Sequence, residues 1–205
     1  MRGALYWFNQ SRVLFNMLEF CPKISEELEK PDFREYMIET AWDYYEVAHH
    51  GVSNKGYIQA SLSCLAIEII LKSFNSEVSG NEGKINENYK PNKHIKSLGG
   101  KKSHDLIELL NLVDSKYVEY LFNERDIQTL EKNRNFFVST RYGYEKDVPS
   151  VFYDSISKLA AATICKMVYL YKKMGSDDPF INNFDVNEVY FNNVQKVFLY
   201  SEQTI

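Results

Sequence analysis

Apolar residues crowd most densely into residues 60–74, ASLSCLAIEIILKSF. Drawn as a helix, this stretch puts Leu62, Cys64, Leu65, Ala66, Ile67, Ile69, Ile70, Leu71 and Phe74 on most of its circumference. Ser61, Glu68 and Lys72, at spacings of seven and four, form one narrow polar stripe. A rod that is apolar nearly all round belongs at the centre of a helical bundle, with its neighbours on either side in the sequence.

On the N-terminal side, Phe33, Tyr36, Met37, Thr40, Ala41, Tyr44 and Ala48 recur at three and four. Arg34, Glu35, Glu39, Asp43 and Glu46 stand opposite. This pattern predicts a helix that opens after Pro31 with Asp32 as its cap, ends near His49-His50-Gly51, and runs antiparallel to the central one. On the C-terminal side the pattern predicts three further helices. One begins near Ser103-His104-Asp105 with Leu106, Ile107, Leu109, Leu110 and Val113 inward, and continues over 115–122 after a break. A second spans 126–142, with Ile127, Leu130, Phe137 and Val138 on its buried stripe. The last spans 150–174, introduced by Pro149, carries Phe152, Ile156, Leu159, Ala160, Thr163, Met167, Leu170, Tyr171 and Met174, and stops at Gly175. The expected fold is all-α, an antiparallel bundle of four to five helices over 32–174.

Three stretches depart from this regularity. Residues 1–31 hold a weakly amphipathic segment, with Val13, Leu14, Met17 and Leu18 on one face, and are expected to pack as an extension. Residues 75–102 are polar, contain Gly80, Gly83, Pro91, Gly99 and Gly100, and collect Lys84, Lys90, Lys93, His94, Lys96, Lys101 and Lys102. They are expected to form a flexible basic loop between helices, a solvated segment or a phosphate-attracting edge. Residues 175–205 carry Val189, Tyr190, Phe191, Val194, Val197, Phe198 and Leu199, which suit either a hairpin turning at Asn192-Asn193 or a helix.

Bulk composition narrows the function classes. The 205 residues carry a net charge of −4, which argues against a generally basic, nucleic-acid-coating surface and leaves only local patches. The 3 cysteines, Cys21, Cys64 and Cys165, lack CxxC spacing and read as reduced thiols of a cytoplasmic protein. No apolar run reaches the roughly 18–20 residues of a membrane span, so no membrane association is expected. No metal site or cofactor is expected either: His49 and His50 have no ligand-spaced neighbours. The stretch from Gly99 to Ser103, GGKKS, has Ile95 where a P-loop needs its first glycine.

The chemistry concentrates on charged residues within apolar patterns. Arg134 and Arg141 fall on the predicted buried stripe of 126–142, and an unpaired buried charge costs several kcal/mol. Each arginine therefore either pairs with a carboxylate such as Glu68 or Asp105, or points into a cleft that accepts an anion. Glu68 and Lys72 are spaced as an intrahelical pair. His104-Asp105 reads as a helix start rather than an acid–base pair.

Three pieces of the chain, AIEIILKSF at 66–74, SHDLIELL at 103–110 and RNFFVSTRY at 134–142, resemble in order and spacing the signature segments of HEPN domains. The resemblance covers roughly residues 32–174. It implies an antiparallel helical bundle, often a homodimer with a cleft at its interface. Many members of that family are metal-independent ribonucleases that use an arginine followed four to six residues later by a histidine. Here Arg134-Asn135 matches the front of that motif, but Ser139, Thr140 and Arg141 stand where the histidine would be. The resemblance is thus to the non-catalytic branch, with no catalytic residue assigned. Arg134, Asn135, Arg141, Tyr142, Lys101 and Lys102 are the candidates for contact with a nucleotide or RNA. Glu68, Lys72, His104 and Asp105 form a structural or cleft-lining polar network. A partner protein, such as a nucleotidyltransferase-like antitoxin in a toxin–antitoxin or defence setting, is the other implied ligand. The alternative is a divergent metal-independent endoribonuclease in which His104, Tyr142 or His94 replaces the missing histidine.

Overall fold

The computed structural model describes residues 19–29, 31–32, 34–50, 56–84, 86–140 and 154–195. Most of them are helical, giving an all-α class with, among the described residues, a single two-stranded sheet. In chain order, helix α1 is Glu35–His50, α2 Gly56–Ser73, strand β1 Ser76–Gly80, β2 Asn88–Pro91 and α3 Lys93–Leu98. A 3-10 turn follows over Gly100–His104. Then come α4 Leu106–Leu110, α5 Ser115–Leu121, α6 Glu124–Lys132, α7 Phe136–Thr140, α8 Ser155–Lys173, α9 Pro179–Asn183 and α10 Val186–Asn193.

The centre of the bundle is a pair of helices rather than one. Helix α2 packs against α1, α8, α7 and α4, while α8 also holds α10 and α1. Ile67 and Ile70 of α2 and Ile156, Ile164, Met167, Val168 and Leu170 of α8 have no exposed surface. Burying each such aliphatic side chain stabilises the fold by roughly 1.5–3 kcal/mol. Small residues let the two rods approach closely: the hydroxyls of buried Ser63 and Ser157 meet at 3.1 Å. Helix α8 ends where Gly175 adopts φ 80°, with the amide of Ser176 donating to the carbonyl of Tyr171 and that of Gly175 to Lys172. That pairing satisfies the last carbonyls of the helix.

Several sequence expectations change. Helix α1 starts at Glu35, not beside Pro31, and Asp32 bonds the Arg34 guanidinium instead of capping. Its buried face is Ile38, Ala41, Tyr45 and Ala48, with Tyr36 and Tyr44 exposed. Adjacent apolar pairs, Met37-Ile38 and Tyr44-Tyr45, make two phases of the same period nearly equivalent by pattern. The helix that was expected over 126–142 is broken after Lys132. Asn133 closes α6, its side-chain amide donating to the Thr129 carbonyl, and a turn precedes α7. Side-chain bonding of that kind competes with continued helix. Residues 141–153, including Arg141, Tyr142, Pro149 and Phe152, lie outside the described residues.

The 75–102 stretch is not a structureless loop. β1 and β2 pair antiparallel, Glu77 opposite Lys90 and Val78 opposite Tyr89. Buried Asn75 pins the base of this hairpin. Its side-chain amide donates to the Leu112 carbonyl at 3.0 Å, and its oxygen accepts from the Asn92 amide at 3.1 Å. Asn92 in turn caps α3, accepting from the amides of His94 and Ile95. Ile95 enters the core, leaving Lys93, His94 and Lys96 on the outer side. Gly99 and Gly100, both at positive φ, turn the chain sharply into the 3-10 turn.

The two flanking stretches share the core. The Phe20 and Tyr190 rings pack with centroids 4.3 Å apart, tilted by 41°, and the Phe20 amide donates to Asn187. Residues 186–193 form helix α10, so Asn192-Asn193 ends a helix and is not a hairpin turn. The predicted amphipathic face at Val13–Leu18 and the residues from 196 onward lie outside the described residues.

Candidate functional site

The segments at 66–74, 103–110 and the start of 134–142 meet around the peptide bond joining His104 to Asp105. One half of the cluster is built on Glu68, one turn before the end of α2. Its side chain is only 3 % exposed, and its Oε1 accepts from Lys72 Nζ at 2.6 Å and bonds His104 Nδ1 at 2.8 Å. The helical spacing of four places Lys72 directly over Glu68. The 3-10 turn supplies the second partner by swinging His104 inward. The other carboxylate oxygen, Oε2, is buried and has no hydrogen-bond partner among the described residues.

The second half is built on Asp105, the N-cap of α4. Its Oδ1 accepts from the amides of Ile107 and Glu108, and its Oδ2 accepts from Arg134 Nε at 2.8 Å and Asn135 Nδ2 at 3.3 Å. The Leu106 amide, another donor left over at the helix start, bonds the Arg134 carbonyl at 2.9 Å. The turn before α7 is therefore fastened to the start of α4 by backbone and side chains together. Burial pushes the Asp105 carboxyl upward, but the Arg134 hydrogen bond, the two amides and the Arg134 charge outweigh it, and the net shift is downward.

Arg134 does not ride a buried helical stripe. It sits in the turn with a side chain about one-third exposed. Carboxylates surround its guanidinium: Asp105 on Nε, Glu131 on Nη1 at 2.9 Å and Glu108 from Nη2 at 4.0 Å. Nor do Glu68 and Lys72 face it; they face His104. Of the residues picked out from the sequence, the fold brings Glu68, Lys72 and His104 into one tie and Asp105, Arg134 and Asn135 into another. Lys102 stands at the edge, its Nζ 3.9 Å from Glu108. Arg141 and Tyr142 lie outside the described residues.

Sequence reasoning passed over two partners. Glu131, three residues before Arg134, carried a readable helical-pair signal. Glu108 carried none, because its approach depends on how α4 meets the turn. The lysines also divide in a way that spacing alone does not give. Lys90 pairs with Glu77 and Lys102 approaches Glu108, whereas Lys93, Lys96 and Lys101 are exposed with no carboxylate within ion-pair distance among the described residues.

Other candidate chemistry is muted. Burial, with the Glu68 charge adding, pushes the Cys64 thiol up to about 12, and burial raises Cys165 as well, so neither is a nucleophile. Among the described residues no group of three or more His, Cys, Asp or Glu could hold a metal ion. No helix among them is long and apolar enough to cross a membrane. A separate cavity of about 400 Å3, lined by Glu35, Tyr36, Lys84, Glu87, Tyr89 and Asp178, is acidic and touches none of the predicted site residues. Burial raises the Glu35 carboxyl there, the Ser176 hydroxyl bond partly counteracts it, and Asp178 and Glu87 add to it.

No family model, curated protein or solved structure matches this chain.

Proposed function

We propose that this chain is a HEPN-like helical module without catalytic activity that binds a nucleotide or RNA through the lysine-bearing face of α3 and the 3-10 turn. The observation behind this reading is the contrast between two sets of cations. Arg134 has its guanidinium occupied by Asp105, Glu131 and Glu108, so a phosphate would have to displace carboxylates already in place. Lys93, Lys96 and Lys101 have no such competitors among the described residues; Ile95 and the Asn92 cap hold the backbone of Lys93 and Lys96, and Lys101 lies in the 3-10 turn tied down through His104. Exposed lysines on an ordered helix suit phosphate contacts that depend on charge more than on sequence. Arg134 and Asn135 then brace the site, and Glu68, Lys72, His104 and Asp105 fix the turn that presents Lys101.

Titration of fluorescently labelled single-stranded RNA and of mononucleotides against wild type and a Lys93→Glu/Lys96→Glu/Lys101→Glu variant tests this. At least a tenfold loss of affinity in the variant is expected. Equal affinity in both proteins, or no binding by wild type, removes the reading and leaves association with a partner protein, such as a nucleotidyltransferase-like antitoxin in a toxin–antitoxin or defence setting. Homodimerisation belongs to the same proposal, as does a cytoplasmic location. Tyr36, Tyr44 and Val47 give α1 an exposed apolar strip available to a second copy. Sedimentation equilibrium should find a dimer that Val47→Asp weakens; a monomeric wild type contradicts that part.

One observation favours a second reading, a divergent metal-independent endoribonuclease. His104 is held through Nδ1 by a buried carboxylate, the arrangement that orients an imidazole for proton transfer. RNA left intact by pure wild-type protein in the presence of a chelator would remove it.

A further inference from the structure

We propose that His104 reads the ribose 2′-hydroxyl of the ligand, with Glu68 setting its tautomer and Lys101 holding an adjacent phosphate. This rests on the nucleotide- or RNA-binding reading above and adds a residue that discriminates ribose from deoxyribose.

The tautomer follows from the acceptor. Glu68 Oε1 already takes the Lys72 ammonium at 2.6 Å, so the carboxylate serves as an acceptor and the 2.8 Å contact requires the hydrogen to lie on His104 Nδ1. In the neutral ring Nε2 then carries a lone pair. No described residue bonds to Nε2, and the side chain is 42 % exposed while the carboxylate beneath it is 3 % exposed. An exposed, oriented acceptor with an unused lone pair seeks a donor, and a ribose hydroxyl supplies one.

Lys101 stands where the neighbouring phosphate would be. A 3-10 helix has three residues per turn, so side chains three apart eclipse, and Lys101 and His104 share one edge of Gly100–His104. The other charged groups around the imidazole are accounted for. Lys72 on α2 is bound to Glu68. Asp105 is filled by two amides, Arg134 and Asn135, while Glu108 lies between Lys102 and Arg134. Lys101 has no acidic partner among the described residues. The shared chemistry is a ribose phosphate, whose source is either a free ribonucleotide or an RNA strand.

The test uses the full chain and four probes: RNA and DNA oligonucleotides of one sequence, AMP and dAMP. Wild type is expected to favour the ribose member of a pair by roughly tenfold, the size of one well-made hydrogen bond. His104→Asn, whose side-chain amide can still donate to Glu68 as Nδ1 does but which lacks Nε2, should bring that ratio close to one while leaving the affinity for the deoxyribose member within about twofold. Lys101→Ala should weaken both members alike. A preference confined to the oligonucleotides identifies an RNA strand as the source, and one present in both pairs identifies the ribonucleotide unit. Equal wild-type affinity for ribose and deoxyribose members, or a parallel loss of both in His104→Asn, overturns the inference alone. Absence of binding by any probe overturns the underlying reading and the inference with it.

Discussion

At the scale of single residues, Asp105 does the most. It caps α4, and it also binds the turn that carries Arg134 and Asn135. Replacing an N-cap aspartate by alanine typically costs about 1 kcal/mol. Asp105→Ala also removes the partner of Arg134 Nε, so the expected loss is larger, roughly 1–3 kcal/mol by urea denaturation. The pH dependence has a definite sign. Because the folded state lowers the Asp105 carboxyl, its contribution is present above the ordinary carboxylate range and is lost as pH falls through the lowered value. The gap between wild type and Asp105→Ala should therefore narrow on acidification, and a gap independent of pH would contradict the ion-pair account.

Glu35 has the opposite sign. Burial raises its carboxyl, so its favourable contribution exists only below the unfolded-state value and is lost as pH rises through the folded one. At neutral pH Glu35 is a charge held in an unfavourable place. Glu35→Gln, which can still accept from the Ser176 hydroxyl, should raise Tm at pH 7 and lose that advantage at pH 4. A lower Tm at pH 7 would show that charge at the start of α1 outweighs burial.

At the scale of elements, the helical parts were legible in the sequence because their apolar periods are strong. The central position of 60–74, the Asp105 start, the separate helix at 115–121 and the Gly175 stop all follow from spacing and capping chemistry. The failures have equally specific causes. Met37-Ile38 and Tyr44-Tyr45 leave the phase of α1 ambiguous by one residue. Asn133 and Asn135 flank Arg134 with side chains that favour a turn, yet the surrounding apolar period reads straight through them. The hairpin at 76–91 is short and polar, and its stability comes from Asn75, whose partners at Leu112 and Asn92 are remote in sequence. Local pattern does not encode such contacts. The meeting of Glu68 with His104 is of the same kind: Glu68 reads as the polar stripe of an apolar helix and His104 as part of a helix start, and only the packing of the 3-10 turn on α2 brings them together.

The order of α3 is thus a tertiary effect with a local trigger. Asn92 both caps α3 and closes the hairpin. Asn92→Ala should cost about 1 kcal/mol through the cap and raise amide hydrogen exchange over 93–98 selectively, leaving α2 and α8 unaffected. Unchanged exchange across 93–98 would mean that Ile95 alone holds the element. If the lysine face binds as proposed, the same variant should also weaken RNA affinity, since the lysines would pay an ordering cost on binding.

At the scale of the whole molecule, the acidic and basic groups are segregated. The chain is acidic overall, at −4, and Glu35, Glu87 and Asp178 gather around one cavity, whereas Lys93, Lys96 and Lys101 gather on α3 and the turn after it. A protein of this balance binds a polyanion only through a bounded patch, so its affinity should respond to salt as a small, countable number of contacts. The most direct measurement is the dependence of RNA affinity on salt concentration, for wild type and for the Lys93→Glu/Lys96→Glu/Lys101→Glu variant. For single strands each phosphate neutralised contributes a slope of about −0.7 in log K against log salt. The account predicts that the variant loses about 2 from the magnitude of the wild-type slope, together with most of the affinity at low salt. A variant with the wild-type slope, or a wild type with no measurable affinity for RNA at low salt, would contradict it.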